Sequence, residues 1–140
     1  MRNTSNNKFT LGLVLLSLPA MTIVLFSFSS LQQSDEWNAP ESAKQKSNPV
    51  PADEASIALG KKVYVKECLS CHGKRGKGDG PSVATLEKSP GNLLLPKVQS
   101  QTDGELFWKI TEGRKPMPST KKSLTEEQRW QVVNYIRTLK

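Results

Sequence analysis

Residues 68–80 read CLSCHGKRGKGDG, and their first five positions hold both cysteines and the single histidine of a 140-residue chain. Residues three apart in a helix share a face, so Cys68 and Cys71 put two thiols side by side, with His72 directly following. Four glycines come next, Gly73, Gly76, Gly78 and Gly80, and then Pro81. A helix that ends in chemistry-bearing residues and runs into a glycine loop sets the frame for the rest of the chain.

Cys-x-x-Cys-His is the pattern of covalent c-type haem attachment. Each thiol can form a thioether with one haem vinyl group, and the adjacent imidazole then ligates the iron from one side. Other readings stay open at this level. A thioredoxin-like dithiol asks for a βαβ setting, whereas helix and glycine loop surround this one. A structural zinc site asks for four ligands, so carboxylates would have to complete the set. A disulfide between cysteines three apart is possible but constrains little.

Haem iron in this reading needs a sixth ligand or an open position. No second histidine exists, and Met117 in GRKPMPST is the one methionine beyond the N-terminal segment. A lone methionine is ordinarily gap-filling core. Here Pro116 and Pro118 flank it, and fixed φ angles favour a rigid loop that can carry sulfur onto iron. Methionine with histidine is the ligation of electron-transfer cytochromes c. The expected cofactor set is therefore Cys68, Cys71, His72 and Met117, with His72 and Met117 on the metal.

Three helices are legible independently. The first spans about 55–71, with Ile57, Gly60, Tyr64 and Cys68 on one stripe. Thr102-Asp103-Gly104-Glu105 is a capping box that opens a second, with Leu106, Phe107 and Ile110 on one face and Gly113 as its stop. Thr125-Glu126-Glu127-Gln128 is another, opening a last helix with Val132, Tyr135, Ile136 and Leu139 aligned. Gly60 inside a helix costs about 1 kcal/mol relative to Ala, which points to a close approach by another backbone.

These residues together resemble class I c-type cytochromes, in particular the small mono-haem type associated with bacterial respiratory oxidases. The resemblance rests on Gly60 and Tyr64 before the CLSCHG motif, the GKGDGP run, G-x-x-x-Met-Pro at Gly113–Pro118 and the terminal QVVNYIRTL. It implies an all-α cytochrome c fold of three to four short helices around one covalent haem c, spanning 55–140. It also implies that the N- and C-terminal helices cross at Gly60 beside Tyr64 and Tyr135, and that Pro81 offers its carbonyl to the free nitrogen of His72. Trp108 is expected in core or haem packing, and Arg114 and Lys115 beside a propionate or in solvent.

Upstream, Phe9–Leu31 carries no charge and as a helix would be about 35 Å long, enough to cross a bilayer. Residues 1–31 thus read as a membrane anchor, or as a signal segment cut near Ser27-Phe28-Ser29. Arg2 and Lys8 precede the apolar run, so the C-terminal part belongs on the extracytoplasmic, periplasmic side. Residues 32–54 are poor in large apolar groups and hold three prolines. They read as a flexible linker with a reach of about 25–30 Å.

The chain's formal net charge is +7. Lys66, Lys74, Arg75 and Lys77 flank the attachment motif, and Lys115, Lys121 and Lys122 flank the methionine. Such a rim either steers an acidic partner or merely keeps a small domain soluble. Nothing beyond charge suggests nucleic acid, and no small-molecule substrate is expected. The function expected is single-electron transfer to or within a membrane respiratory chain, with a membrane oxidase or reductase complex as partner, rather than catalysis. A gas sensor or peroxidase with a displaceable methionine is the alternative.

Overall fold

The computed structural model describes residues 1 and 36–140. The expected anchor at 9–31 lies outside the described residues. Among the described residues, no helix is long and apolar enough to cross a membrane.

All regular elements among the described residues are helical. They are α1 (Glu41–Lys44), α2 (Glu54–Glu67), α3 (Leu69–His72), a 3-10 turn (Val83–Thr85), α4 (Pro96–Gln99), α5 (Asp103–Glu112) and α6 (Glu126–Arg137). Asp53 caps α2 by accepting from the Ser56 amide at 2.8 Å. Thr102 with Glu105, and Thr125 with Gln128, form the two expected capping boxes. Each satisfies two of the amides that a helix start leaves unpaired.

The helix expected over 55–71 is two helices. Cys68, at φ −115°, widens the path and ends α2, and α3 restarts at Leu69. The break is slight, because the Cys68 amide still donates to Tyr64 at 2.9 Å and the His72 amide to Cys68 at 2.9 Å.

α2 and α6 pack against each other most extensively. A methyl group on Gly60 would lie 1.9 Å from the Gln131 carbonyl oxygen, so only hydrogen fits at that crossing. The Tyr64 and Tyr135 rings meet beside it, centroids 5.1 Å apart. Around this crossing Tyr64, Leu106, Phe107, Ile110, Trp130, Val132, Val133 and Ile136 form the core. Phe107 and Trp130 stack with centroids 3.9 Å apart. Arg137 closes the far end of α6, donating to Asp103 at 2.8 Å and to the Gln99 and Gln101 carbonyls.

Residues 36–54 depart from the linker expectation. They lie against the domain as a strap, and the compact unit extends through them to Lys140. Ala39 and Ala43 are buried, and α1 packs on α5. Lys46 pairs with Glu126 at 2.8 Å and sits 4.5 Å from the Phe107 ring centroid. Asn48 donates to the buried Asn134 at 2.7 Å. Asn134 in turn donates to the Val50 and Pro51 carbonyls at 3.2 Å each. Around α1 the strap docks through alanine, amide and cation–π contacts, with Trp37 and Val50 as its apolar contacts. A composition rule that counts apolar bulk does not register such contacts.

Candidate metal centre

Cys68 and Cys71 are free thiols, both half-buried, at the α2–α3 junction. Burial, followed by the charges of Glu67 and Cys71, pushes the Cys68 thiol up to about 12. It is therefore held as S–H. Cys68 and Leu69 pack against the core cluster, so the motif rides on the rigid α2–α6 crossing.

The glycine loop turns back on α3 itself. Gly73, at φ 77°, takes a conformation that other residues resist, and the chain reverses there. The Gly78 amide then donates to the His72 carbonyl at 2.9 Å and the Gly80 amide to Cys71 at 3.1 Å. These bonds satisfy carbonyls that the end of a helix leaves orphaned. Tyr64, fully buried, donates its hydroxyl to the Gly73 carbonyl at 2.8 Å. Burial pushes the Tyr64 hydroxyl far above its ordinary range, so it stays a donor. The loop thus fixes α3 from both sides.

His72 is held in its neutral form, because burial lowers its pKa and the Gly91 main chain only partly offsets this. Its Nδ1 is buried with no hydrogen-bond partner. The main chain that reaches the imidazole is that of Gly91, and Pro81, expected in that role, is exposed. The reason is local. The Gly80 and Ser82 amides are tied to the Cys71 and Ser70 carbonyls, at 3.1 and 2.8 Å, and Pro81 is carried outward between them.

Met117 is half-buried and packs against the same core cluster as Cys68. Its loop is pinned to the end of α5. Ser119 Oγ donates to the Thr111 carbonyl and Thr120 Oγ1 to the Ile110 carbonyl, both at 2.7 Å. The Met117 amide donates to the Arg114 carbonyl at 2.9 Å, and the two residues pair as an isolated bridge. Gly113 ends α5 at φ 66°, as the sequence predicts.

A cleft of about 490 Å³ has Met117, Pro90, Gly91, Val98, Arg114 and Trp37 among its lining residues. It joins the methionine loop to the main chain that neighbours His72. Neither the cysteines nor His72 line it. Trp108 is half-buried and meets Trp37, ring centroids 6.3 Å apart, a neighbour not foreseen from the sequence.

The residues fit a covalently held haem. Two thiols share one helical junction, a neutral imidazole carries a buried and unpartnered Nδ1, and Met117 lines a nearby cleft with cationic walls. A zinc centre lacks its donors, since no group of three or more His, Cys, Asp or Glu side chains converges among the described residues.

Comparison with known proteins gives the same picture. The family described as Cytochrome C oxidase, cbb3-type, subunit III matches residues 55–136. Among solved structures, a chain of the Kuenenia stuttgartiensis reducing HAO-like protein complex Kustc0457/Kustc0458 is 30% identical, with a TM-score of 0.57. That match covers 65% of this chain and 46% of that one, so the present chain matches less than half of its relative's length. The KustC0563 c-type cytochrome is 26% identical over 58% of this chain and 96% of its own, with a TM-score of 0.49. Cytochrome CL from Methylophaga aminisulfidivorans MPT is 24% identical over 61% and 56%, with a TM-score of 0.48. No curated protein matches.

Proposed function

Since the chain belongs to the cbb3-type cytochrome c oxidase subunit III family, as a class I mono-haem cytochrome c with covalent haem c, we propose that His72 and Met117 ligate its iron for electron transfer in a membrane respiratory chain. Haem supplies the one-electron couple of ferric and ferrous iron. The protein's part is to bind, orient and insulate. Cys68 and Cys71 would hold the group by two thioethers. His72 stays neutral through burial, the form a metal ligand requires. Met117 raises the reduction potential relative to a harder ligand.

The observation that carries this reading is the placement of Met117. It lines the cleft from a loop fastened to α5 by Ser119 and Thr120. With His72 and Met117 both ligating, the iron would have no place for oxygen or peroxide, and the chain would act as a carrier or electron-transfer subunit rather than a catalyst. Residues 1–31 are proposed to anchor it on the extracytoplasmic face. The partner is then a membrane oxidase or reductase complex, met at high effective concentration.

The test is a spectrum of the full chain made with haem-maturation machinery. Expected are sharp reduced bands, haem retained through denaturation, and the weak far-red methionine–iron band in the oxidised form. Met117→Ala should abolish that band and admit CO to the ferrous protein. Covalent haem without the far-red band in the unsubstituted chain would remove Met117 from the iron and bring the gas-sensor or peroxidase alternative forward.

A further inference from the structure

Residues 36–38 lie outside the stretch that matches the family, 55–136, yet they reach the cleft that Met117 lines. Trp37 is the contact. Its ring is half-buried, with the Arg114 guanidinium carbon 5.2 Å and the Lys109 ammonium 5.7 Å from its centroid. Trp108 backs it at 6.3 Å. A cation held at an aromatic face is restrained in position, and guanidinium stacks on indole especially well.

Arg114 is the first residue of the methionine turn. Its carbonyl accepts the Met117 amide at 2.9 Å, and the two residues form the isolated bridge that shapes the loop. Two steps therefore connect Trp37 to the sulfur: ring to guanidinium, then the Arg114 main chain to Met117. The other end of the loop is fixed by Ser119 and Thr120 on α5. The Arg114 end has the Trp37 ring as its aromatic brace. Lys109 is held as well, by Gln101 and by the neighbouring charges of Glu105 and Glu36, so the ring sits in a fixed cationic frame.

We propose that Trp37 is a positioning residue for Met117: from the strap it braces Arg114, holding the methionine loop in its ligating position and covering the cleft against water. The inference rests on the axial role of Met117. It assigns to the segment just ahead of α1 an influence on the redox site that the haem-binding stretch alone does not contain.

The experiment uses the full chain with haem, reading the far-red band and CO binding to the ferrous form at temperatures well below unfolding. Trp37→Leu keeps apolar bulk but removes the aromatic face. It is expected to lose part of the far-red absorbance and to bind CO that the unsubstituted protein refuses. Trp37→Phe retains an aromatic face and is expected to restore both readouts. A purely structural role would instead lower the unfolding temperature of both variants and leave band and CO refusal intact. If the unsubstituted protein shows the band and Trp37→Leu matches it, the brace is overturned while Met117 remains the ligand. If the unsubstituted protein lacks the band, the axial assignment fails and the brace with it.

Discussion

At the scale of single residues, position 60 weighs two opposing effects. Alanine is favoured over glycine in a helix by about 1 kcal/mol, but its methyl would meet the Gln131 carbonyl oxygen at 1.9 Å. That neighbour is backbone of α6 and cannot swing aside, so overpacking, typically 1–3 kcal/mol, wins. Gly60→Ala is expected to lower Tm by roughly 5 °C, measured by thermal melts of the haem protein. An unchanged Tm would mean the helices do not cross there. Asn134 has the opposite history. It is 3% exposed and serves Asn48, Val50, Pro51 and Ser56 at once. Asn134→Ala strands those groups and should cost about 2–3 kcal/mol, read from denaturant midpoints at constant slope. Gly60 was legible in the sequence because a glycine inside a helical stripe calls for an explanation. Asn134 was not, because its partners are far away along the chain and, Ser56 apart, belong to residues that read as linker. The same limit applies at His72. The motif names the ligand, but the main chain beside it can come from any residue, and it comes from Gly91 rather than Pro81.

At the scale of elements, α5 and the start of α6 were readable to within a residue because capping boxes are local chemistry, written in consecutive positions; the stripe read through Leu139, whereas α6 ends at Arg137. α1 was not. A four-residue helix with one buried alanine has no periodicity to detect, and its docking relies on an absence: the missing side chain of Gly104. A Cβ there would sit 2.0 Å from the Ala43 carbonyl oxygen. Gly104→Val should therefore displace the strap while leaving α6 in place, seen as faster amide exchange at Lys44 and Lys46 with little change in the core. Unchanged protection of those amides would show that α1 does not need that seat. The strap also has an acid-sensitive tie. Lys46 holds the Glu126 carboxyl below its ordinary value of 4.5. A depressed carboxylate stabilises the fold above its unfolded pKa, and the contribution is lost as pH falls through the lowered folded value. Glu126→Gln should thus be slightly less stable near neutrality and lose less than the parent in the window below about 4.5, compared by Tm against pH. Because the pair is exposed, the effect is small, and a parallel Tm–pH curve for both proteins would remove the tie from consideration.

For the whole molecule, the charge balance predicts how it meets others. Lys74, Arg75 and Lys77 sit in the loop that wraps α3, and long-range attraction between a basic rim and an acidic docking patch is screened by salt. Electron transfer to a membrane acceptor is expected to slow as ionic strength rises, and Lys74→Glu with Lys77→Glu to flatten that dependence. A rate indifferent to both would make the lysines simple solubilisers. Fold class and haem attachment were open to sequence reading because one motif constrains so much around it. The arrangement of strap, cleft and methionine loop was not, since it depends on which surfaces meet. That strap has a mechanical consequence. The uncharged run ends at Leu31 and packed chain begins by Glu36, leaving four residues between them, 32–35. Fully drawn out, four residues span about 14 Å, half the reach of a free coil over 32–54 and about an eighth of the volume it would sweep. If residues 9–31 sit in a bilayer, the domain is kept on a short leash. Its electrons would then change hands close to the lipid headgroups, as at a relay post rather than by courier.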